Sequence, residues 1–87
     1  MYALHYAADR GNLSIANLLL QAGATVDAVD NYGQTALHLA AHFGYIQVVE
    51  ALLNAGADKA VKDKHGKTAL DDAQDRNETA IVKLLRD

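Results

Sequence analysis

Two histidines have the spacing in this sequence that comes closest to a metal site. His38 and His42 lie four residues apart, and on a helix that spacing lets two imidazoles bind one zinc ion. The zinc motif also needs a glutamate directly after the first histidine, but Leu39 stands there, and no third ligand follows at a suitable spacing. The sequence therefore predicts no metal site, and nothing in it indicates a cofactor.

Three aspartates form the other cluster of side chains that could do chemistry. Asp71, Asp72 and Asp75 lie close together in a stretch that we expect to be an exposed helix. Acid–base catalysis needs burial or a low-dielectric pocket that separates the pKa values of paired carboxylates. We instead expect these carboxylates to be solvated and to stabilise the positive N-terminal end of the helix. The sequence predicts that the protein is not an enzyme.

Both clusters lie in a sequence that repeats every 33 residues. Leu4, Leu37 and Leu70 mark this step, and their neighbours return with them. Further residues that recur at the same distance are Gly23 and Gly56, Ala24 and Ala57, Asp30 and Asp63, and Gly33 and Gly66. A period of this length indicates stacked structural units that contact only their neighbours, an arrangement without an enclosed catalytic pocket.

The middle unit, residues 30–62, shows what each repeat builds. It opens with turn-forming residues at 30–33, and Thr35 then has the position of a helix N-cap. A short alanine-rich helix should follow and end at Gly44, because glycine readily adopts the left-handed conformation after a helix. The apolar spacing of residues 46–54 predicts a second helix that stops before Gly56.

Together these features resemble ankyrin repeats. The threonine before the helix, the Leu-His pair, the paired alanines and the Leu-Leu-x-x-Gly-Ala ending match nearly all of residues 30–57. The resemblance covers residues 1–87 as one domain, with an incomplete repeat at about 1–29, a complete one at 30–62 and a cap-like one at 63–87. It implies an all-α solenoid of stacked helix-turn-helix repeats with β-hairpin loops. It also implies that His5 and His38 hydrogen-bond the neighbouring turn.

The two ends of the array differ from the family pattern in opposite ways. The last repeat has polar residues at apolar positions, as terminal repeats need for solubility, and Asn77 replaces the glycine that ends its first helix. In the first repeat Tyr2 stands where the capping threonine belongs. We expect the face near Tyr2, Leu4 and Ile15 to be partly uncovered and to allow self-association.

The resemblance implies a function and the positions that perform it. Ankyrin arrays are scaffold or adaptor modules that bind another protein through their hairpin tips and the concave face of their first helices. Asp9 and Arg10 take such positions in the first repeat; in the other two the predicted partner-binding residues are Asn31, Tyr32, Gln34, His42, Phe43, Lys64, His65, Lys67, Asp75 and Arg76. The aromatic residues Tyr32 and Phe43 are typical of binding hot spots, although packing on the neighbouring repeat stays an alternative.

The overall composition of the chain limits which other kinds of partner and location we expect. The net charge of −3 gives no general attraction to nucleic acid or an anionic membrane, although Lys59, Lys62, Lys64 and Lys67 surround one hairpin and could attract an acidic partner. We expect an intracellular protein, cytoplasmic or nuclear, with no membrane-spanning segment. Two alternatives stay open: a structural segment of a larger protein whose activity lies elsewhere, and a trimmed or engineered binder.

Overall fold

The computed structural model describes residues 2–86, and six helices lie within this range. They form three consecutive pairs: α1 (Ala3–Arg10) and α2 (Leu13–Gln21), α3 (Ala36–Phe43) and α4 (Ile46–Asn54), and α5 (Ala69–Asp75) and α6 (Thr79–Arg86). The predicted all-α repeat arrangement is confirmed. No strand is formed within residues 2–86, and the segments expected to be β-hairpins are hydrogen-bonded turns instead.

The first helices of the second and third pairs begin in the same way. The Thr35 hydroxyl accepts a hydrogen bond from the His38 amide, and Thr68 does the same for Asp71, so each threonine satisfies an amide that lacks a helical partner. Tyr2 precedes α1 in a similar extended conformation but provides no side-chain cap. Helix α1 therefore starts without the stabilisation that its two counterparts have.

Each of the three first helices is followed by a turn residue in the left-handed conformation; after α1 it is Gly11, with a φ of 67°. Gly44 has a φ of 80°, and Asn77 has a φ of 58°, which confirms that asparagine can replace glycine at this point of the last repeat. Asn12 is the N-cap of helix α2, and its side chain accepts a hydrogen bond from the Ile15 amide.

One continuous core runs through all three pairs. The first helices α1, α3 and α5 pack side by side, and so do the second helices α2, α4 and α6. Alanines such as Ala8, Ala40 and Ala73 are fully buried between the first helices, because small side chains let the backbones approach closely. Leu52 fills the centre of the second layer with no exposed surface. Leu4 is also buried, at 3% exposure, so the prediction that it belongs to an uncovered face is wrong.

Polar contacts between repeats fix their positions along the stack. His5 Nε2 donates to the Gln34 carbonyl over 2.8 Å, and His38 Nε2 donates to the Lys67 carbonyl over 2.9 Å. These contacts confirm that both histidines bond to the next turn. The Asp27 carboxylate accepts from the Asp58 amide over 2.9 Å, so this side chain joins two loops of successive repeats.

The helices are short throughout the described part of the chain. The longest of them, α2 and α4, each contain nine residues. None of the helices in residues 2–86 is long and apolar enough to cross a lipid bilayer.

Candidate protein-binding surface

Two turns project from the helix stack, and we call them the tip loops (residues 30–34 and 63–67). In the first, the Asp30 carboxylate accepts hydrogen bonds from two backbone amides, those of Tyr32 and Gln34, over 2.9 and 3.0 Å. The second tip loop repeats this arrangement around Asp63. The Lys64 amide also donates to the Tyr32 carbonyl over 3.0 Å, which joins the two loops. The tip loops are therefore ordered platforms whose side chains extend from a fixed backbone.

The electrostatics of Asp63 reflect its structural role. Burial alone would raise the pKa of this carboxyl, but the hydrogen bonds from the Lys67 and His65 amides outweigh burial, and the pKa lies below its ordinary value of 3.8. A carboxylate that is stabilised in its charged form holds the loop most firmly when it is ionised. Asp63 is therefore a loop-forming residue and not an acid–base group.

A salt bridge connects the second tip loop to the first-helix face, the exposed side of α1, α3 and α5. The Lys67 ammonium lies 2.5 Å from the Asp75 carboxylate, and both side chains are about half exposed. The hydrogen bond and the negative charge of Asp75 raise the pKa of Lys67 above its ordinary value. An exposed pair of this kind contributes little to stability. It shows that the tip and the first helix of the same repeat form one surface.

The aromatic residues divide between exposure and packing. Phe43 is 45% exposed; the His42 ring meets it edge-on, with 4.8 Å between ring centroids, and Tyr45 lies 6.3 Å away. Tyr45 is half-buried against the core in the turn between α3 and α4. Tyr32 is 67% exposed at its tip. Phe43 therefore packs on one side and presents the rest of its ring to solvent.

One exposed aromatic residue on the first-helix face was missed by the sequence reasoning. Tyr6 is 52% exposed, and the guanidinium of Arg10 lies 5.0 Å from the centre of its ring. This distance is within the range of a cation–π contact. The signal was in the sequence, because Tyr6 lies four residues before Arg10 on one helix, and residues at that spacing are neighbours.

Asp72 lies on the same face, and its environment corrects the sequence prediction. Its Oδ2 atom is buried and accepts no hydrogen bond from the described residues. Burial raises the pKa of this carboxyl above 3.8, although the nearby His38 and His42 oppose the shift. The expectation of a solvated carboxylate is therefore wrong for Asp72. Asp71 differs, because its carboxylate accepts from the Thr68 amide over 3.0 Å and completes the helix cap.

The ten predicted partner-binding residues lie on the tip loops and the first-helix face. Eight are exposed, while Gln34 and His42 are half-buried. The structure brings Tyr32 next to Lys64 through their backbones and joins Lys67 to Asp75; His42 contacts Phe43. The remaining exposed members are Asn31, His65 and Arg76. The Gln34 carbonyl accepts hydrogen bonds from the Asp30 amide and the His5 ring, so the backbone of Gln34 stabilises the fold.

The described residues of this surface do not include a cluster of side chains that could bind a metal ion. Within residues 2–86 no group of three or more histidine, cysteine, aspartate or glutamate side chains is arranged to hold a metal ion. His38, half of the zinc-like pair, is 1% exposed, and its Nδ1 accepts from the Thr35 amide while its Nε2 donates to Lys67. Both ring nitrogens therefore serve the helix cap and the repeat stack.

Comparison with known proteins agrees with the geometry. A search of curated proteins found no match. A family model described as ankyrin repeats, in three copies, matches residues 4–87. Ankyrin repeats are generally protein–protein interaction modules without catalytic activity. Because the match extends over nearly the whole chain and the helices form three stacked pairs, the protein belongs to the ankyrin repeat family.

Proposed function

We propose that this protein is a scaffold or adaptor module that binds a partner protein through its tip loops and first-helix face. The observation that carries the proposal is the exposure of Phe43 and Tyr32 on an ordered backbone. Large aromatic side chains provide much contact area, and truncating them typically costs a binding interface more than truncating its other residues. Because the loops are fixed by their own hydrogen bonds, little conformational entropy is lost when a partner binds.

Around the two aromatic residues, polar side chains would form the rim of the interface. This rim comprises Asn31, Gln34, Lys64, His65, Lys67, Asp75 and Arg76, with His42 supporting Phe43. A polar rim around an aromatic centre is the usual composition of a specific interface. Tyr6 with Arg10 extends the candidate surface onto the first repeat.

The lysines at the second tip loop favour a partner segment that is acidic where it contacts this loop. Lys62, Lys64 and Lys67 are close in sequence, and Lys64 and Lys67 belong to the loop itself. Complementary charge mainly raises the rate of encounter, while the buried aromatic contacts determine how long the complex lasts. We therefore expect association with the partner to slow as salt concentration rises.

A capture experiment tests the proposal. Tagged wild-type protein and the double variant Tyr32→Ala/Phe43→Ala are incubated with extract from the source cells, and the retained proteins are identified by mass spectrometry. We expect the double variant to lose the specific partner. The matched control is Ile46→Ala, because Ile46 is 37% exposed but lies on a second helix.

Retention of all partners by the double variant would contradict the proposed surface. Circular dichroism of each variant establishes that the helices are intact, so loss of binding is not caused by unfolding. Equal loss of binding by the Ile46→Ala control would also count against a site at Tyr32 and Phe43.

A further inference from the structure

Asp72 differs from its counterparts in the other repeats. The residues one and two periods earlier are Leu39, which is 8% exposed, and Tyr6. The stack therefore accepts an apolar side chain at this position, yet the third repeat has a carboxylate there, and its Oδ2 atom is buried without a hydrogen bond from the described residues. An unsatisfied buried acceptor lowers stability, and departures of this kind are expected at functional sites. Folding alone therefore does not explain the Asp72 carboxylate.

No salt bridge neutralises Asp72 in the described part of the chain. Lys67, whose charge acts on Asp72, is bound to Asp75 instead. Arg76 lies four residues after Asp72, a spacing that makes helical side chains neighbours, but it is exposed, and no salt bridge joins the two within residues 2–86. Both ring nitrogens of His38 are engaged in the helix cap and the repeat stack. Because Asp72 as a whole is only half-buried, its carboxylate can still accept hydrogen bonds from another molecule.

An exposed aromatic ring lies near this carboxylate. Burial raises the pKa of the Asp72 carboxyl, and the charges of His38 and His42 oppose this shift, so both imidazoles are close to it. The His42 ring in turn meets the Phe43 ring edge-on, with 4.8 Å between the ring centroids. Phe43 is 45% exposed. A carboxylate beside an aromatic ring fits a guanidinium group, because guanidinium stacks on aromatic rings while its N–H groups donate to carboxylate oxygens.

We propose that Asp72 and Phe43 together bind an arginine side chain of the partner protein. The guanidinium donates hydrogen bonds to the Asp72 carboxylate, and its flat face lies on the Phe43 ring. Lysine fits this site less well, because an ammonium group has no planar pair of donors for a carboxylate. The inference rests on the proposed function, since it assigns one contact within the same surface, and it adds a side chain that the partner must carry.

The charges of the surrounding surface are compatible with such a partner. Lys64 is exposed on the second tip loop, whereas Lys67 is neutralised by its salt bridge to Asp75. A partner segment that is acidic over the tip loop and carries its arginine over α3 and α5 complements both parts of the surface. Because the two contacts need opposite charges, they also determine the direction in which the segment crosses the surface.

Peptide selection tests the arginine contact. A random peptide library displayed on phage is selected against the wild-type protein, Asp72→Leu, Tyr32→Ala/Phe43→Ala and the control Glu50→Gln, which removes the same charge from the exposed part of α4. We expect arginine to be enriched in peptides selected by the wild-type protein and by Glu50→Gln, but not in those selected by Asp72→Leu. Because Asp72→Leu removes an unsatisfied acceptor, it should fold at least as stably as the wild type, and lost binding would not reflect unfolding.

Calorimetry with a selected peptide isolates the contact. Alanine in place of the peptide's arginine should weaken binding to the wild-type protein by about 10–100-fold, as expected for a charge-assisted hydrogen bond, and should weaken binding to Asp72→Leu much less. An equal loss with both proteins, or enrichment of lysine in place of arginine, would overturn the proposal. Peptides that need Tyr32 and Phe43 but show no arginine preference would overturn it and leave the proposed function standing. Peptides unaffected by Tyr32→Ala/Phe43→Ala would contradict both.

Discussion

Replacing Asp72 with leucine should stabilise this protein, although the aspartate lies at the start of a helix. The equivalent residue of the preceding repeat is Leu39, which is 8% exposed, so the fold accommodates an apolar side chain at this position. In Asp72 the same space contains a carboxylate whose Oδ2 atom is buried and accepts no hydrogen bond from the described residues. Asp72→Leu removes this unsatisfied acceptor and adds apolar contact.

The size of the effect follows from two opposing contributions. An unsatisfied buried polar atom costs about 1–3 kcal/mol, and a half-exposed carboxylate belongs at the lower end of that range because solvent screens part of its charge. Against this gain, the substitution loses the interaction of a negative charge with the first turn of α5, about 0.3–1 kcal/mol. With the added apolar burial, we expect a net gain of about 1–2 kcal/mol in the free energy of unfolding.

The pH dependence of stability separates the effect of the Asp72 charge from the effect of packing. Asp72→Asn isolates the charge, because it removes the carboxylate and adds no apolar side chain. Burial raises the pKa of Asp72 in the folded protein above the ordinary value of 3.8, while charges on His38, His42 and Lys67 oppose the shift and Asp63 adds to it. The folded state therefore holds the proton more tightly than the unfolded state. The cost of the charged form is fully present above the raised pKa and is relieved as pH falls from there toward 3.8. The advantage of Asp72→Asn should be constant near neutrality and should shrink through that window.

Urea and thermal unfolding monitored by circular dichroism, each repeated across the pH range, measure both effects. At neutral pH Asp72→Leu should raise the thermal midpoint by about 4–8 °C for each kcal/mol gained. The control is Asp71→Asn, which weakens the cap that the Asp71 carboxylate makes to the Thr68 amide and should destabilise. If Asp72→Leu destabilised the protein at neutral pH, or if the gain of Asp72→Asn grew as pH fell, the assigned burial of Asp72 would be wrong.

Three further predictions concern the cap, the core and the tip. Tyr2→Thr should stabilise the protein by about 1 kcal/mol, because a threonine would cap helix α1, which Tyr2 does not. Its hydroxyl would also hydrogen-bond the buried Nδ1 of His5, which has no described partner. Unchanged urea midpoints would contradict this prediction. Leu52→Ala should cost about 2–5 kcal/mol and broaden or abolish cooperative unfolding, whereas a loss well below that range would contradict its central packing. Asp63→Asn should lower stability at neutral pH, and its deficit should vanish as pH falls below 3.8 through the lowered pKa of Asp63; a deficit that persists at lower pH would argue against this assignment.

Most of the fold could be predicted from local chemistry. The threonine caps, the glycine after α3 and the apolar spacing of α4 are signals within a few residues of each other, and the 33-residue period fixed how they stack. The contacts of His5 and His38 with the next turn were likewise expected. Each of these features repeats, so one repeat predicts the next.

What could not be predicted depends on the neighbours of individual side chains. Asp72 was expected to be solvated because it is an aspartate on a terminal helix, but its burial is set by α3, which packs against α5. Leu4 was assigned to an uncovered face from its place in the first repeat, yet it points into the core, as Leu37 does. Tyr6 was overlooked because the family positions that guided the choice began at Asp9. The identity of the partner depends on surface chemistry that many ankyrin repeat proteins vary on one scaffold.

Site-specific photo-crosslinking tests directly whether Phe43 lies at the centre of a partner-binding surface. A photoreactive amino acid is placed at position 43 in one sample and at position 50, on the exposed part of α4, in another. Both are irradiated in extract from the source cells. We expect a discrete protein adduct from position 43, which an excess of wild-type protein removes and an excess of Tyr32→Ala/Phe43→Ala does not. Adducts from position 50 alone, or equally from both positions, would contradict it.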